Sequence, residues 1–297
     1  MTDTNRLFGC GTALVTPFTA TGEVDEPAIR ALVDWQIEQG VHFLVPCGST
    51  GEAATLTPAE HRRVVEVVVE QTRGRVPVMA GAGSNDTKKA IALSREMKDA
   101  GATHLLHVSP MYNKPPQRGI IAHFKAIAEA VELPIVVYNV PGRTGSNIET
   151  KTTLTLAQVP GIVGVKEASG NLSQIMDIIR ERPPHFSVLS GDDGFTLAVM
   201  AAGGDGIISV ISNATPRAVV RLVENARDGD FEGARNIHEC LTPWMHAAFI
   251  ESNPLPVKAA LAMMGRIKNV LRLPLVPMMD THESVLRSAL QRAGTIQ

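Results

Sequence analysis

The chain has 297 residues, a length that fits two domains of about 150 residues or one α/β barrel of about 250 with added elements. Its 44% hydrophobic and 20% charged residues can bury a large core, which excludes a disordered chain. The 28 basic and 30 acidic residues leave a formal net charge of −2, which excludes nucleic acid or an anionic membrane as the main partner, since both select a basic surface.

Short β-branched runs alternate with longer amphipathic stretches from end to end. A strand is predicted over 12–15, a helix over 26–39 and a second strand over 43–46. The helix predicted over 58–72 carries its own start signal: Thr57 as N-cap, Pro58 at the first helical position and Glu60 three residues after the cap. A strand over 76–80 leads to a helix over 86–99, stopped by Gly101. Strands then follow at 104–108, 135–139, 162–166, 187–189 and 206–210. The helices between and after them fall at 117–131, 151–158, 172–182, 195–202 and 216–227.

Eight continuous apolar strands with helical crossovers imply a parallel sheet covered on its outer side. Eight such units favour closure into a (β/α)8 TIM barrel over a doubly wound open sheet. Residues 1–229 are therefore expected to form the catalytic barrel. Residues 230–297 read as a C-terminal helical extension packed on it, with helices at 234–249, 257–264 and 283–292 between proline-rich breaks.

Cys10, Cys47 and Cys240 are too few and too scattered for a disulfide framework or a zinc site. Residues 1–9 show no basic segment leading into an apolar run, so no signal peptide is expected. The apolar runs at 67–69 and 195–202 fall far short of the ~18 residues of a membrane span. A reduced, cytoplasmic protein is expected. Only 4% of the residues are aromatic, and the two tyrosines, Tyr112 and Tyr138, both lie where strands are predicted to end.

In a barrel of this kind chemistry sits on the loops at the C-terminal ends of the strands. Eight of the nine lysines fall in helical, turn or polar surroundings, whereas Lys166 closes the strand-like run that starts at Gly161. Desolvation there favours a neutral amine, the form that makes Schiff bases with ketones. A strand-end lysine facing solvent or paired with Glu167 fits the same run. Gly48-Ser-Thr-Gly-Glu52 follows the second strand and can aim N–H groups and hydroxyls at a carboxylate, or simply turn the chain. No P-loop lysine follows it, which argues against nucleotide binding.

At the end of the fifth strand, Tyr138-Asn-Val-Pro-Gly-Arg-Thr-Gly145 offers a proton relay in Tyr138 and a bidentate carboxylate ligand in Arg143; Tyr138 also fits a core position. The loop 109–115 presents Tyr112 or packs on a neighbour. Asp192 and Asp193 read as caps of the next helix rather than metal ligands, and no HExxH motif occurs. No cofactor and no metal are expected. Together an amine, carboxylate anchors and two phenols at one mouth describe a metal-free class I aldolase.

On these residues the chain resembles the dihydrodipicolinate synthase family of pyruvate-dependent class I aldolases, from Gly11-Thr-Ala-Leu-Val-Thr-Pro-Phe18 to the C-terminal helices. Gly164-Val-Lys-Glu-Ala-Ser-Gly-Asn171 and Leu189-Ser-Gly-Asp-Asp193 belong to the same likeness. The resemblance implies that Ser49 and Thr50 dock pyruvate's carboxylate and that Lys166 forms an iminium with its ketone. It implies that the derived enamine adds to L-aspartate 4-semialdehyde, whose carboxylate Arg143 holds, to give 4-hydroxy-tetrahydrodipicolinate, the first committed product toward diaminopimelate and lysine.

Tyr138, Ser49 and Tyr112 would form the proton relay, and Gly191 and the backbone at Ile208 would line the pyruvate pocket. Tyr112 would reach into a neighbour's site in a homotetramer built as a dimer of dimers. Lys166, Tyr138 and the turn at 48–52 suit the whole superfamily, so a lyase acting on a sugar acid is the alternative. Ser49 stands where many synthases carry threonine, and serine there also occurs among sialic-acid lyases. Of the positions used by lysine-inhibited members, His61 and Asn85 match, while Pro58, Lys89 and Met111 do not. Lys89 would set a positive charge against the inhibitor's ammonium, so inhibition by L-lysine is expected to be weak or absent.

Overall fold

The computed structural model describes residues 7–296. The reading of the N-terminus thus rests partly on residues 1–6, which lie outside the described residues. Eight parallel strands form one sheet: β1 (Gly9–Ala13), β2 (Phe43–Val45), β3 (Met79–Gly81), β4 (His104–Val108), β5 (Ile135–Asn139), β6 (Ile162–Glu167), β7 (Ser187–Ser190) and β8 (Gly206–Ser209). Their order is β2-β1-β8-β7-β6-β5-β4-β3. The bridge Leu44↔Val78 joins the two ends, with Leu44 N–H donating to Pro77 O at 3.0 Å. The sheet is thereby a (β/α)8 TIM barrel.

Around it lie α1 (Glu26–Glu38), α2 (Pro58–Thr72), α3 (Thr87–Asp99), α4 (Gln117–Ala130), the single turn α5 (Pro141–Thr144), α6 (Thr150–Leu156), α7 (Leu172–Glu181), α8 (Thr196–Ala201) and α9 (Pro216–Arg227). The start of α2 is the capping box that its sequence predicts. Thr57 Oγ1 accepts from Glu60 N–H at 3.2 Å, and Glu60 Oε2 accepts from Thr57 N–H at 2.9 Å.

Side chains along each strand divide between two cores because successive residues point to opposite faces. Phe43, Val45, Met79, Leu106, Val136, Leu189 and Ile208 fill the barrel interior. Their neighbours Leu44, Leu105, Val137, Val188 and Ile207 face the helices.

Two strands depart from expectation, and glycine explains both. Predicted over 12–15, β1 runs from Gly9, because a Cβ on Gly11 would lie 1.9 Å from the Phe43 ring. Glycine here makes room for Phe43 on the barrel floor, whose full burial contributes about 1.5–3 kcal/mol. Predicted over 76–80, β3 ends at Gly81, where a Cβ would sit 2.0 Å from Cys47 O. In both places a strand-weakening residue is imposed by the close approach of its neighbour.

The extension consists of α10 (Phe231–Ala247), α11 (Leu255–Met263) and α12 (Glu283–Arg292). Trp244 of α10 is fully buried and donates from Nε1 to Ile211 O at 3.4 Å, fastening the extension beside β8. The chain between α10 and α11 crosses the C-terminal mouth of the barrel, where it meets the candidate site. Among the described residues no helix is long and apolar enough to cross a membrane.

Candidate active site

Lys166 lies on β6, with Tyr138 of β5 and Leu189 of β7 beside it in register. The residue is 5% exposed, and among the described residues its Nζ donates to no carboxylate. Its Nζ stands 4.2 Å from the centroid of the Tyr138 ring. Burial brings the amine's pKa down to about 8; the Asp193 carboxylate opposes this and the Arg143 charge assists it. An amine so placed has about a tenth of its population in the neutral, nucleophilic form at pH 7, far more than a lysine at the ordinary 10.5. Of the two roles that the strand-end position allowed, solvent exposure and pairing with Glu167 are both absent. Glu167 points to the other face, accepting from Asn139 Nδ2, Gln174 Nε2 and Ser169 N–H.

Tyr138 is also buried, and burial pushes its phenol up to about 12, so the hydroxyl holds its proton. Gly191 follows β7 against the same lysine. A Cβ there would come within 2.7 Å of Ala168 Cβ and 3.0 Å of Lys166 Cγ. The missing side chain is what lets Lys166 extend. Ile208, on β8, is fully buried in the barrel interior.

The turn Gly48-Ser-Thr-Gly-Glu52 follows β2 and its conformation is unusual, with Cys47 at φ +57° and Glu52 at φ +53°. Non-glycine residues in that region cost energy unless the surroundings hold them. Here the extension holds them. Lys258 of α11, wholly buried, donates from Nζ to Glu52 Oε1 at 2.5 Å and to Thr16 O at 2.9 Å. Arg272 N–H donates to the other carboxylate oxygen of Glu52 at 3.2 Å. Thr50 is buried and its Oγ1 accepts from Asn253 Nδ2 at 2.9 Å, whereas Ser49 is exposed.

Arg143 sits in α5, exposed, and donates from Nη2 to the backbone oxygen of Asn253 at 3.4 Å. Tyr112 is held by its backbone, N–H to Thr144 O at 3.2 Å, in a strained conformation with φ +73°. Its side chain is 89% exposed. The structure therefore gathers Lys166, Tyr138, Gly191 and Ile208 inside the mouth and Thr50 and Arg143 at its rim. It does not join the hydroxyls of Tyr138, Ser49 and Tyr112, which share no hydrogen bond within one chain.

One expectation needs correcting. Asp192 does cap the next turn, accepting from Gly194 N–H at 2.9 Å. Asp193 does not. It is buried under the mouth, accepting from Ser209 Oγ at 2.5 Å and from Val210 N–H at 3.0 Å, and burial raises its pKa to about 6. Among the described residues no group of three or more His, Cys, Asp or Glu could hold a metal ion.

Asn253, Lys258 and Arg272 escaped the sequence reading. Each belongs to the extension, each touches the mouth, and no local motif marks any of them.

Comparison with known proteins points to one family. The dihydrodipicolinate synthetase family matches residues 6–293. A 4-hydroxy-tetrahydrodipicolinate synthase of Koribacter versatilis is 52% identical over 293 residues, covering 98% of each chain. A chloride-inhibited dihydrodipicolinate synthase of Acinetobacter baumannii, solved in complex with pyruvate, superposes with a TM-score of 0.96 at 42% identity, covering 97% of this chain and 99% of that one. A monomeric dihydrodipicolinate synthase variant gives a TM-score of 0.96 at 42% identity, covering 98% of both chains.

Proposed function

The chain belongs to the dihydrodipicolinate synthetase family, and from that membership we propose how its residues condense pyruvate with L-aspartate 4-semialdehyde. The enzyme is a lyase of the class I aldolase type. The observation that carries the assignment of roles is Lys166, a buried amine on β6 with its pKa lowered to about 8 and, among the described residues, no carboxylate in direct contact with it.

Pyruvate's carboxylate docks at Ser49 and Thr50, beside Gly191 and the backbone of Ile208. The neutral Lys166 amine attacks the ketone carbon; the carbonyl oxygen leaves as water and an iminium remains. Its positive nitrogen withdraws electrons, so the methyl carbon gives up a proton to water, which the relay passes to the solvent, and becomes an enamine. That carbon attacks the aldehyde of the semialdehyde, whose carboxylate pairs with Arg143. The aldehyde oxygen takes a proton from the phenol of Tyr138, which its raised pKa keeps protonated. The substrate's own amino group then adds to the iminium carbon and expels the Lys166 amine. Ring closure gives 4-hydroxy-tetrahydrodipicolinate and restores the lysine.

Ser49 keeps the hydroxyl that this scheme needs, lacking only the methyl that would fix its rotamer. Tyr112, so exposed on one chain, completes the relay from a neighbouring copy in a dimer, two of which make a tetramer. Insensitivity to L-lysine follows from the exposed Lys89 on α3, and from Asn85, whose amide is already spent on Met111 O at 3.1 Å.

The test is borohydride reduction with pyruvate followed by intact mass, together with turnover of pyruvate plus L-aspartate semialdehyde through a coupled reductase. A covalent adduct at Lys166 and turnover are expected. An adduct with no turnover on the semialdehyde, and cleavage of a sugar acid instead, would overturn the substrate assignment.

A further inference from the structure

Asn253 lies between the two substrate anchors. Its amide nitrogen donates to Thr50 Oγ1 at 2.9 Å, and its backbone oxygen accepts from Arg143 Nη2 at 3.4 Å. The residue is 6% exposed, yet its amide oxygen has no hydrogen-bond partner. A buried acceptor left unpaired is costly, and native proteins seldom keep one without a reason.

The chemistry of the substrate supplies a donor for it. In L-aspartate semialdehyde the amino group stands on the carbon next to the carboxylate. A carboxylate held by Arg143 therefore brings that amino group to whatever else borders Arg143, and Asn253 is the residue in contact with the guanidinium. On the substrate assignment proposed above, we infer that the Asn253 side chain recognises the α-amino group of the semialdehyde through its amide oxygen. Asn253 is then a specificity-determining residue supplied by the extension rather than by the barrel.

An amide suits this position better than a carboxylate. The amino group must shed its extra proton before it attacks the iminium carbon. A neutral acceptor binds the ammonium form without locking the charge in place, whereas an adjacent carboxylate would raise the amine's pKa and delay ring closure. The nitrogen end has a complementary role. Because Thr50 Oγ1 accepts from Asn253, the Thr50 proton is free to be donated elsewhere, in the direction of the pyruvate carboxylate.

Asn253→Leu tests the inference, since it removes both ends of the amide while the backbone oxygen that holds Arg143 remains. Pyruvate is kept saturating, and the borohydride-trapped adduct is measured first. An adduct in the variant shows that its fold and Lys166 chemistry survive; none in the wild type would bring down the underlying assignment and not this inference. The KM for L-aspartate semialdehyde is expected to rise roughly tenfold to a hundredfold, the loss typical of a hydrogen bond to a charged group. Inhibition by succinate semialdehyde, which has the same carboxylate and no amino group, is expected to stay within about threefold. Equal weakening of both would make Asn253 a prop for Arg143 and overturn the inference, as would no change in either. Should Asn253→Leu fail to fold, Asn253→Ser, too short to reach Thr50, is measured in the same way with the same expectations.

Discussion

Among the described residues two lysines are buried, and they face opposite situations. Lys166 ends in the barrel mouth over an aromatic ring, with no anion in contact. Lys258 ends beneath the turn at 48–52, against the Glu52 carboxylate at 2.5 Å, with both side chains fully buried. Burial pulls both amines below their ordinary pKa, but at Lys258 the carboxylate and its hydrogen bond work against the shift. The difference separates reactivity from support. On the roles proposed above, the amine without a partner is the nucleophile and the amine with one is a brace. The same element of chemistry serves the site twice, once on a strand and once on a helix 92 residues later.

Replacing each lysine by methionine, which fills similar volume without charge, should separate the two roles. For Lys166→Met the expected outcome is the largest effect of all: no borohydride-trapped adduct and a fall in turnover of more than about a thousandfold. Thermal stability should hold or increase, because a desolvated amine has been removed. A variant that kept measurable adduct would end the distinction at once.

Lys258→Met should do the reverse. It strands a buried carboxylate and should destabilise the chain by about 3–5 kcal/mol in denaturant unfolding. The folded fraction should still form adduct at Lys166. Adding Glu52→Gln to Lys258→Met should recover part of the loss, since the pair rather than either charge is the unit. Undiminished stability in the single variant would show that the existing bond from Arg272 N–H suffices to hold Glu52.

The smallest effect is a matter of pH. Adduct formation should rise with pH and level off above about 8, where Lys166 is neutral, instead of climbing toward the ordinary 10.5. The unfolded chain keeps that proton up to about 10.5 while the folded one gives it up near 8. The unfolded state therefore binds more protons in this window, and stability should increase with pH across it. In Lys166→Met this contribution should vanish. A rate that still climbs past pH 9.5 would place Lys166 in a wetter setting than the barrel provides.

The sequence alone reveals features that are local. The capping box at Thr57 and Glu60, the apolar run leading to Lys166 and the turn at 48–52 each depend on residues adjacent in the chain. The barrel follows from the regular alternation of strand and helix patterns. What escapes is set by distant approach. Gly11 weakens a strand pattern only because Phe43 of the neighbouring strand needs its space. Asp193 resembles a helix cap until β8 brings Ser209 to it. Lys258 lies in α11, every residue of which from Leu255 to Leu261 is buried, so no polar face in the pattern hints at a charged partner. Asn253 is one polar residue in a turn, and its significance comes from Thr50 and Arg143, far away in sequence.

The Glu52–Lys258 contact spans 206 residues. Contacts of that separation form late, after the loop between them has been closed. As the chain leaves the ribosome, β6 and Lys166 can take shape while α11 is still unmade. The turn at 48–52 cannot be braced until Lys258 has emerged, 206 residues after Glu52. On the roles proposed above, activity thus depends on the extension: a barrel cut short before it would carry Lys166 and leave the turn at 48–52 without its brace.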